Sequence, residues 1–243
     1  MEPPAAGAAV RPVWYAGSDS WWGEFWTMLH LPYTVMVLSF VTVGASLAPR
    51  VSWVILAGTL LAYFLGLGIG AHFLDQIPGM GSRYARHWPK STLWLAGFGA
   101  LGIAVAIGVI GAVWFVGPPL LFLVGVQALC AIGYPLAKWF GGAFHRDSVF
   151  AVSWGSLPFL TSYFAQAGTI DLLSVGVALI FGGVAVLEIR LSRSSRTLRA
   201  GARSPPVAHS AYRRFDRALQ ALATTTIAAA MALIASRVVL AIW

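Results

Sequence analysis

The chain has 243 residues, 58% of them hydrophobic and only 10% charged, with a formal net charge of +8. A soluble domain carries about 25% charged residues, so this composition excludes a water-soluble globule and points to lipid as the solvent. The apolar runs do not alternate in ~10-residue segments, which excludes a transmembrane β-barrel, and the lone Cys130 excludes an internal disulfide.

Residues 1–18 are small, Pro-rich and without the apolar h-region of a signal peptide, and are expected to be flexible. Residues 19–243 read as a single transmembrane helical domain. The stretch SWWGEFWTMLHLPY, 20–33, sets Trp21, Trp22, Phe25 and Trp26 among polar neighbours, as an interfacial segment leading into a helix does. Apolar runs follow at about 31–48, 52–74, 92–116, 118–137, 148–167, 171–189 and 215–241. A bilayer core needs roughly 20 such residues per helix. The fold expected is an all-α, polytopic transmembrane bundle of about seven helices, with Gly117-Pro118-Pro119 separating the third from the fourth.

Charge tests that count. With seven spans, 14 of the 16 basic residues fall on the side of the N-terminus, leaving Arg50 and Arg237 on the other. The positive-inside rule then places the N-terminus in the cytoplasm and the C-terminus outside. The richest segment, 190–214, reads as a basic cytoplasmic loop facing anionic headgroups rather than nucleic acid. Fourteen of the sixteen basic residues are arginine, as in a GC-rich prokaryotic gene, so the membrane expected is a prokaryotic cytoplasmic one.

Ionisable residues at span ends are the candidate chemistry. GIGAHFLDQIPG, 68–79, ends the second span with His72 and Asp75 at i and i+3, hence on one face. Asp75 has a plain alternative as a helix end paired with Arg83 or Arg86. YPLAKWFGGAFHRDSVF, 134–150, places His145, Arg146 and Asp147 before the fifth span, on the same membrane side. His72, Asp75, His145 and Asp147 are enough ligands for a divalent cation, and imidazole nitrogen favours Zn, Fe or Mn. Among them Asp147 also suits an N-cap. Lys138, Arg146 and loop arginines such as Arg190 and Arg193 would neutralise a phosphate. Tyr134, Trp154 and Tyr163 would line an apolar channel and shield a cation with their π faces, or simply pack. His30 is expected at the interface, and His87 and His209 in solvent.

Taken in order, MLHLPYT, AHFLDQIPG, Tyr134-Pro135 with Lys138, and Trp154-Gly155 with Pro158 resemble elements of the UbiA-type prenyltransferase superfamily, in a divergent prokaryotic branch. The resemblance covers about the first 165 residues. It departs where Ala71, His72 and Gly79 stand for an Asn and two Asp residues of the second-helix motif, and where Glu188, Arg190 and Arg193 stand for a second Asp-rich motif. The resemblance implies a Mg-bridged prenyl diphosphate, ionised to an allylic cation that an acceptor captures. Read as an enzyme on such a lipid-like substrate, the chain has Asp75, Lys138 and Arg146 as candidate catalytic groups and Tyr134, Trp154, Tyr163, Arg190 and Arg193 as candidate substrate-binding groups. Two other classes stay open: a transporter of a small molecule or metal, against which the apolar span centres speak, and a non-catalytic scaffold or lipid-binding protein.

Overall fold

Ser20 starts the first helix. Its hydroxyl accepts the Gly23 N–H at 3.1 Å, and α1 runs Trp21–Met28. In this computed structural model, which describes residues 13–77, 84–201 and 206–242, all regular structure among the described residues is helical. His30 turns the chain after α1. Its φ of 46° is the one positive φ at a non-glycine residue among the described residues, a conformation costing of order 1–3 kcal/mol. The helix resumes as α2, Leu31–Leu47, bent 40° from α1.

α3, Trp53–Tyr63, runs without a break through a π-helical stretch, Phe64–Ala71, into α4, His72–Asp75. α5, Lys90–Gly111, ends in a π turn, Ala112–Val116. Gly117, at φ 116°, and the two prolines after it stop that helix, since proline has no N–H to continue it. α6 is Leu120–Gly133, followed by a 3-10 turn, Ala137–Phe140. α7, Asp147–Phe150, passes through a second long π stretch, Ala151–Ser156, into α8, Leu157–Ala167. α9 is Leu172–Gly201 and α10 is Pro206–Ile242. The α9 start is a reciprocal cap: Ser174 N–H donates to Asp171 Oδ1 at 2.7 Å, and Asp171 N–H to Ser174 Oγ at 3.0 Å.

Four helical runs are long and apolar enough to cross a membrane: Trp53–Asp75, Lys90–Val116, Leu172–Arg199 and Ala211–Leu240. The bent pair α1–α2 makes a fifth. Fewer runs pass that test than the seven expected from sequence: α6 has only 14 residues where a crossing needs roughly 20, and the run from α7 through α8, expected as the fifth span, is not among those that pass.

Two expectations are corrected. Residues 13–18 are packed rather than flexible: Val13 and Ala16 are buried beside Met28 and Trp88, and the Gly17 N–H donates to Thr27 Oγ1 at 2.9 Å. Residues 1–12 lie outside the described residues. The segment 190–214 is not a loop for most of its length, since α9 continues to Gly201 and α10 begins at Pro206. The polar residues of α9 have an inside. Ser192 and Ser195 are buried. Arg199 pairs with Asp216 of α10, which also accepts the Ser195 hydroxyl at 2.6 Å, and the Arg199 guanidinium lies 4.3 Å from the Tyr212 ring centre. An Arg- and Ser-rich string reads as loop in composition, yet here one polar face is satisfied by a neighbouring helix.

Glycine lets the helices meet closely. A Cβ on Gly44 of α2 would lie 2.4 Å from the Phe159 carbonyl of α8, and one on Gly155 would lie 2.4 Å from the Phe181 carbonyl of α9.

Candidate functional site

The residues predicted at span ends meet at one end of the bundle. A cavity of about 560 Å³ opens there. The start of α2 gives it His30 and Tyr33. The π stretch and α4 give Ala71, His72, Asp75 and Gln76. Tyr134 and Pro135 follow α6, and Phe150 and Trp154 come from α7 and the π stretch beyond it. α9 closes it with Glu188, Ser192, Arg193 and Arg196, and His145 stands at the edge. Two of the three π-helical stretches therefore border this cavity, a placement common at functional sites.

Of the sequence-predicted site residues, His72, Asp75, Tyr134, His145, Trp154 and Arg193 line the cavity together. Asp75 does not pair with Arg86, which binds Asp19 at 3.0 Å and Glu24 at 3.8 Å; Arg83 lies outside the described residues. Gln76 is fully buried. Its Nε2 donates to Asp75 Oδ2 at 3.5 Å, and its Oε1 accepts the Tyr84 N–H at 3.2 Å. The aromatic wall is continuous: Tyr134 stacks on His145 at 5.0 Å and meets Trp154 at 5.1 Å, and Trp154 stacks on Phe150.

Others are placed elsewhere. Asp147 is a clamp between two guanidinium groups, taking Arg190 Nε at 3.0 Å and Arg193 Nη1 at 2.5 Å. The hydrogen bonds from Arg190 and then Arg193 hold its carboxyl below the usual carboxylate range. Arg193 reaches back from this clamp to the Tyr134 hydroxyl at 3.4 Å. Arg190 is the outer, more exposed arm. Lys138 and Arg146 are exposed and outside the cavity lining. Tyr163 is at the far end of the bundle, donating its hydroxyl to Asp171 at 2.7 Å. Asp171 precedes Glu188 by 17 residues, about 25 Å along a helix, so Tyr163 lines no channel with Tyr134 and Trp154. His145 has its pKa lowered by partial desolvation and by the charge of Arg193.

His72, Asp75, His145 and Asp147 do not form a converging ligand set. Among the described residues the one group of three or more ligand atoms within 4.8 Å of one another is Asp19, Glu24 and His87. Arg86 already lies against both carboxylates of that group, and His87 donates its backbone N–H to Glu24 at 2.9 Å with Nδ1 at 2.8 Å from the other oxygen. His87 is thus tied to Glu24 rather than free in solvent. The His209 side chain lies outside the described residues.

Among the cavity groups that the sequence did not assign to the site, His30, Glu188 and Arg196 bear on its chemistry. His30, expected at the interface, is nine-tenths buried and stacks on His72. It begins a span at the same membrane end at which His72 finishes one, and that coincidence was the available signal. Glu188 is 2% exposed, and its Oε1 has no hydrogen-bond partner. An acidic residue inside an apolar span is a functional signal in itself. Arg196 was assigned to a loop, and the continuation of α9 carries it into the cavity wall.

What the site defines is a polar cavity with an aromatic wall, at one end of an all-helical bundle whose apolar helices suit a membrane. No family model, curated protein or solved structure matches the chain.

Proposed function

We propose that the chain is an integral membrane protein of the UbiA type that takes an anionic, long-tailed lipid, a prenyl diphosphate or a close relative, into this cavity and transfers its prenyl group. In this reading the bundle crosses seven times, the N-terminus is cytoplasmic, and the cavity faces the cytoplasm. One observation carries the proposal. Arg193 and Arg196 enter a polar cavity, lined also by histidines, Asp75 and Glu188, that has one continuous aromatic wall of Tyr134, Phe150 and Trp154; two guanidinium groups beside an aromatic face match a compact anion joined to a hydrocarbon tail. Guanidinium is the side chain best suited to a phosphate group.

Transfer would begin as the allylic C–O bond breaks and its electrons leave with the diphosphate. Arg193 and Arg196 would stabilise that leaving charge. The faces of Tyr134 and Trp154 would stabilise the carbocation. The acceptor then forms the new bond to carbon and gives up its proton, which the departing diphosphate, itself a base, takes. The Mg expected from the family resemblance does not fit these residues. A divalent cation of that kind takes several oxygen ligands, whereas Asp147 is already held by two arginines and no ligand set converges at the cavity among the described residues. No step is therefore routed through a metal.

The test is binding of radiolabelled farnesyl diphosphate to the protein in lipid nanodiscs, with chelator present, against farnesol as the uncharged control. Arg196→Gln should weaken diphosphate binding about tenfold, the loss of a charge-assisted contact of ~1.5 kcal/mol, and leave farnesol unaffected. Equal affinity for the two ligands would refute the reading, and release of diphosphate on adding candidate acceptors would establish the reaction.

A further inference from the structure

A second cavity, of about 250 Å³, lies between α3, α5, α6 and α8. Its lining carries no charged residue, and the exposed side chains at its rim, Val54, Ile110 and Phe115, are apolar. Access is therefore from hydrocarbon. Glycine makes the room: a Cβ on Gly58 would find its nearest neighbour, Ile107, only at 4.0 Å.

In this apolar lining sits an amide. Gln127 of α6 accepts the Tyr63 hydroxyl on Oε1 at 3.3 Å. The bond fixes which end of the amide is satisfied. Its Nε2 is sealed from solvent and has no hydrogen-bond partner. Thr161 of α8 adds a hydroxyl to the same lining. Inside a membrane an unsatisfied donor is costly, because no bulk water reaches it. Gln127 lines the cavity and the terminal torsion of glutamine is broad, so an occupant that offers an acceptor draws the N–H to the cavity surface. Mostly apolar walls with a few placed polar groups describe a small-molecule site.

We infer that this cavity binds a neutral molecule with a hydrocarbon frame and one carbonyl oxygen, which accepts a hydrogen bond from Gln127 Nε2. The absence of charge from the lining selects against the anionic ligand of the other cavity. The inference stands independently of prenyl transfer.

The test uses 2-undecanone, ¹³C-labelled at its carbonyl, and undecane as the matched frame without an acceptor, with the protein in nanodiscs. Infrared spectroscopy reads the carbonyl band, which moves to lower wavenumber on accepting a hydrogen bond. The wild type should give a saturable down-shifted band and bind the ketone about fivefold more tightly than the alkane, the ratio expected for one ordinary hydrogen bond. Gln127→Leu should abolish both the shifted band and the preference. Gly58→Leu, which leaves the amide in place but fills the cavity, should abolish binding of both probes. No saturable band in the wild type, equal binding of ketone and alkane, or a preference that survives Gln127→Leu would overturn the inference. Circular dichroism confirms that each variant is folded before it is read.

Discussion

The imidazole rings of His30 and His72 lie face to face, 4.6 Å between centroids and 23° between planes. Nδ1 of His30 stands 2.6 Å from the Met28 carbonyl and Nδ1 of His72 stands 3.1 Å from the Gly68 carbonyl. A carbonyl only accepts, so each Nδ1 carries the proton. The stacked pair ties the bend between α1 and α2 to the end of the α3–α4 run. A double-mutant cycle of His30→Ala and His72→Ala should show a coupling of about 1 kcal/mol in unfolding free energy. Additive effects would mean that the rings contribute separately. His30→Gly should destabilise about 1 kcal/mol less than His30→Ala, because glycine accepts the positive φ.

The Asp147 clamp gives stability a pH dependence with a definite sign. Its folded pKa is depressed, so its contribution is fully present above the ordinary carboxylate value near 3.9 and is lost as pH falls below that value through the lower folded pKa. The His145 pKa is also depressed. The unfolded chain therefore takes up that proton first, and stability declines as pH drops below about 6.5. Acid titration of thermal unfolding should show both declines. His145→Gln should remove the upper one and Asp147→Asn the lower one. At pH 7, Asp147→Asn should cost about 1 kcal/mol, a modest figure because Arg190 and Arg193 are partly exposed.

Glu188 is a buried carboxyl group with an orphaned oxygen, so the fold bears a cost there. Glu188→Leu should raise the unfolding free energy by about 1–3 kcal/mol, since replacing a buried unsatisfied polar group with an apolar one removes its desolvation penalty. Denaturant unfolding in detergent measures it. A loss of stability would show that the carboxyl group supports the fold instead.

Gly155 and Gly102 make a matched pair. A Cβ on Gly155 meets the Phe181 backbone, whereas one on Gly102 meets nothing within 4 Å. Gly155→Ala should destabilise by about 1–3 kcal/mol through overpacking between the π stretch and α9. Gly102→Ala should be neutral or slightly stabilising, as alanine is the better helix former. Equal effects would show that the close approach of α9 does not depend on glycine at 155.

The helices were legible because apolar runs and breakers are local signals. Trp53–Asp75 needed only its composition, and Gly117-Pro118-Pro119 only the chemistry of proline. The cavity was partly legible: His72, Asp75 and His145 were named from the ends of spans, since charge is tolerated only there or in a cavity, Tyr134 and Trp154 as aromatic residues that could line a channel, and Arg193 from the basic segment after the sixth span. Arg196 was hidden because arginines and serines resemble a loop until a partner helix satisfies one face of them. Tyr163 was misplaced because an aromatic residue in an apolar run gives no hint of which end its hydroxyl seeks.

By itself, then, the sequence determined an all-helical chain suited to lipid, and that its ionisable groups gather at helix ends, because burial cost depends on composition and position along a helix. Only the tertiary structure decided which charges meet. It set Asp147 against two arginines, His30 against His72, and Glu188 in the cavity wall. Pairing between side chains far apart in sequence depends on helix rotation and crossing, which packing at sites such as Gly44 and Gly155 fixes and no local pattern encodes.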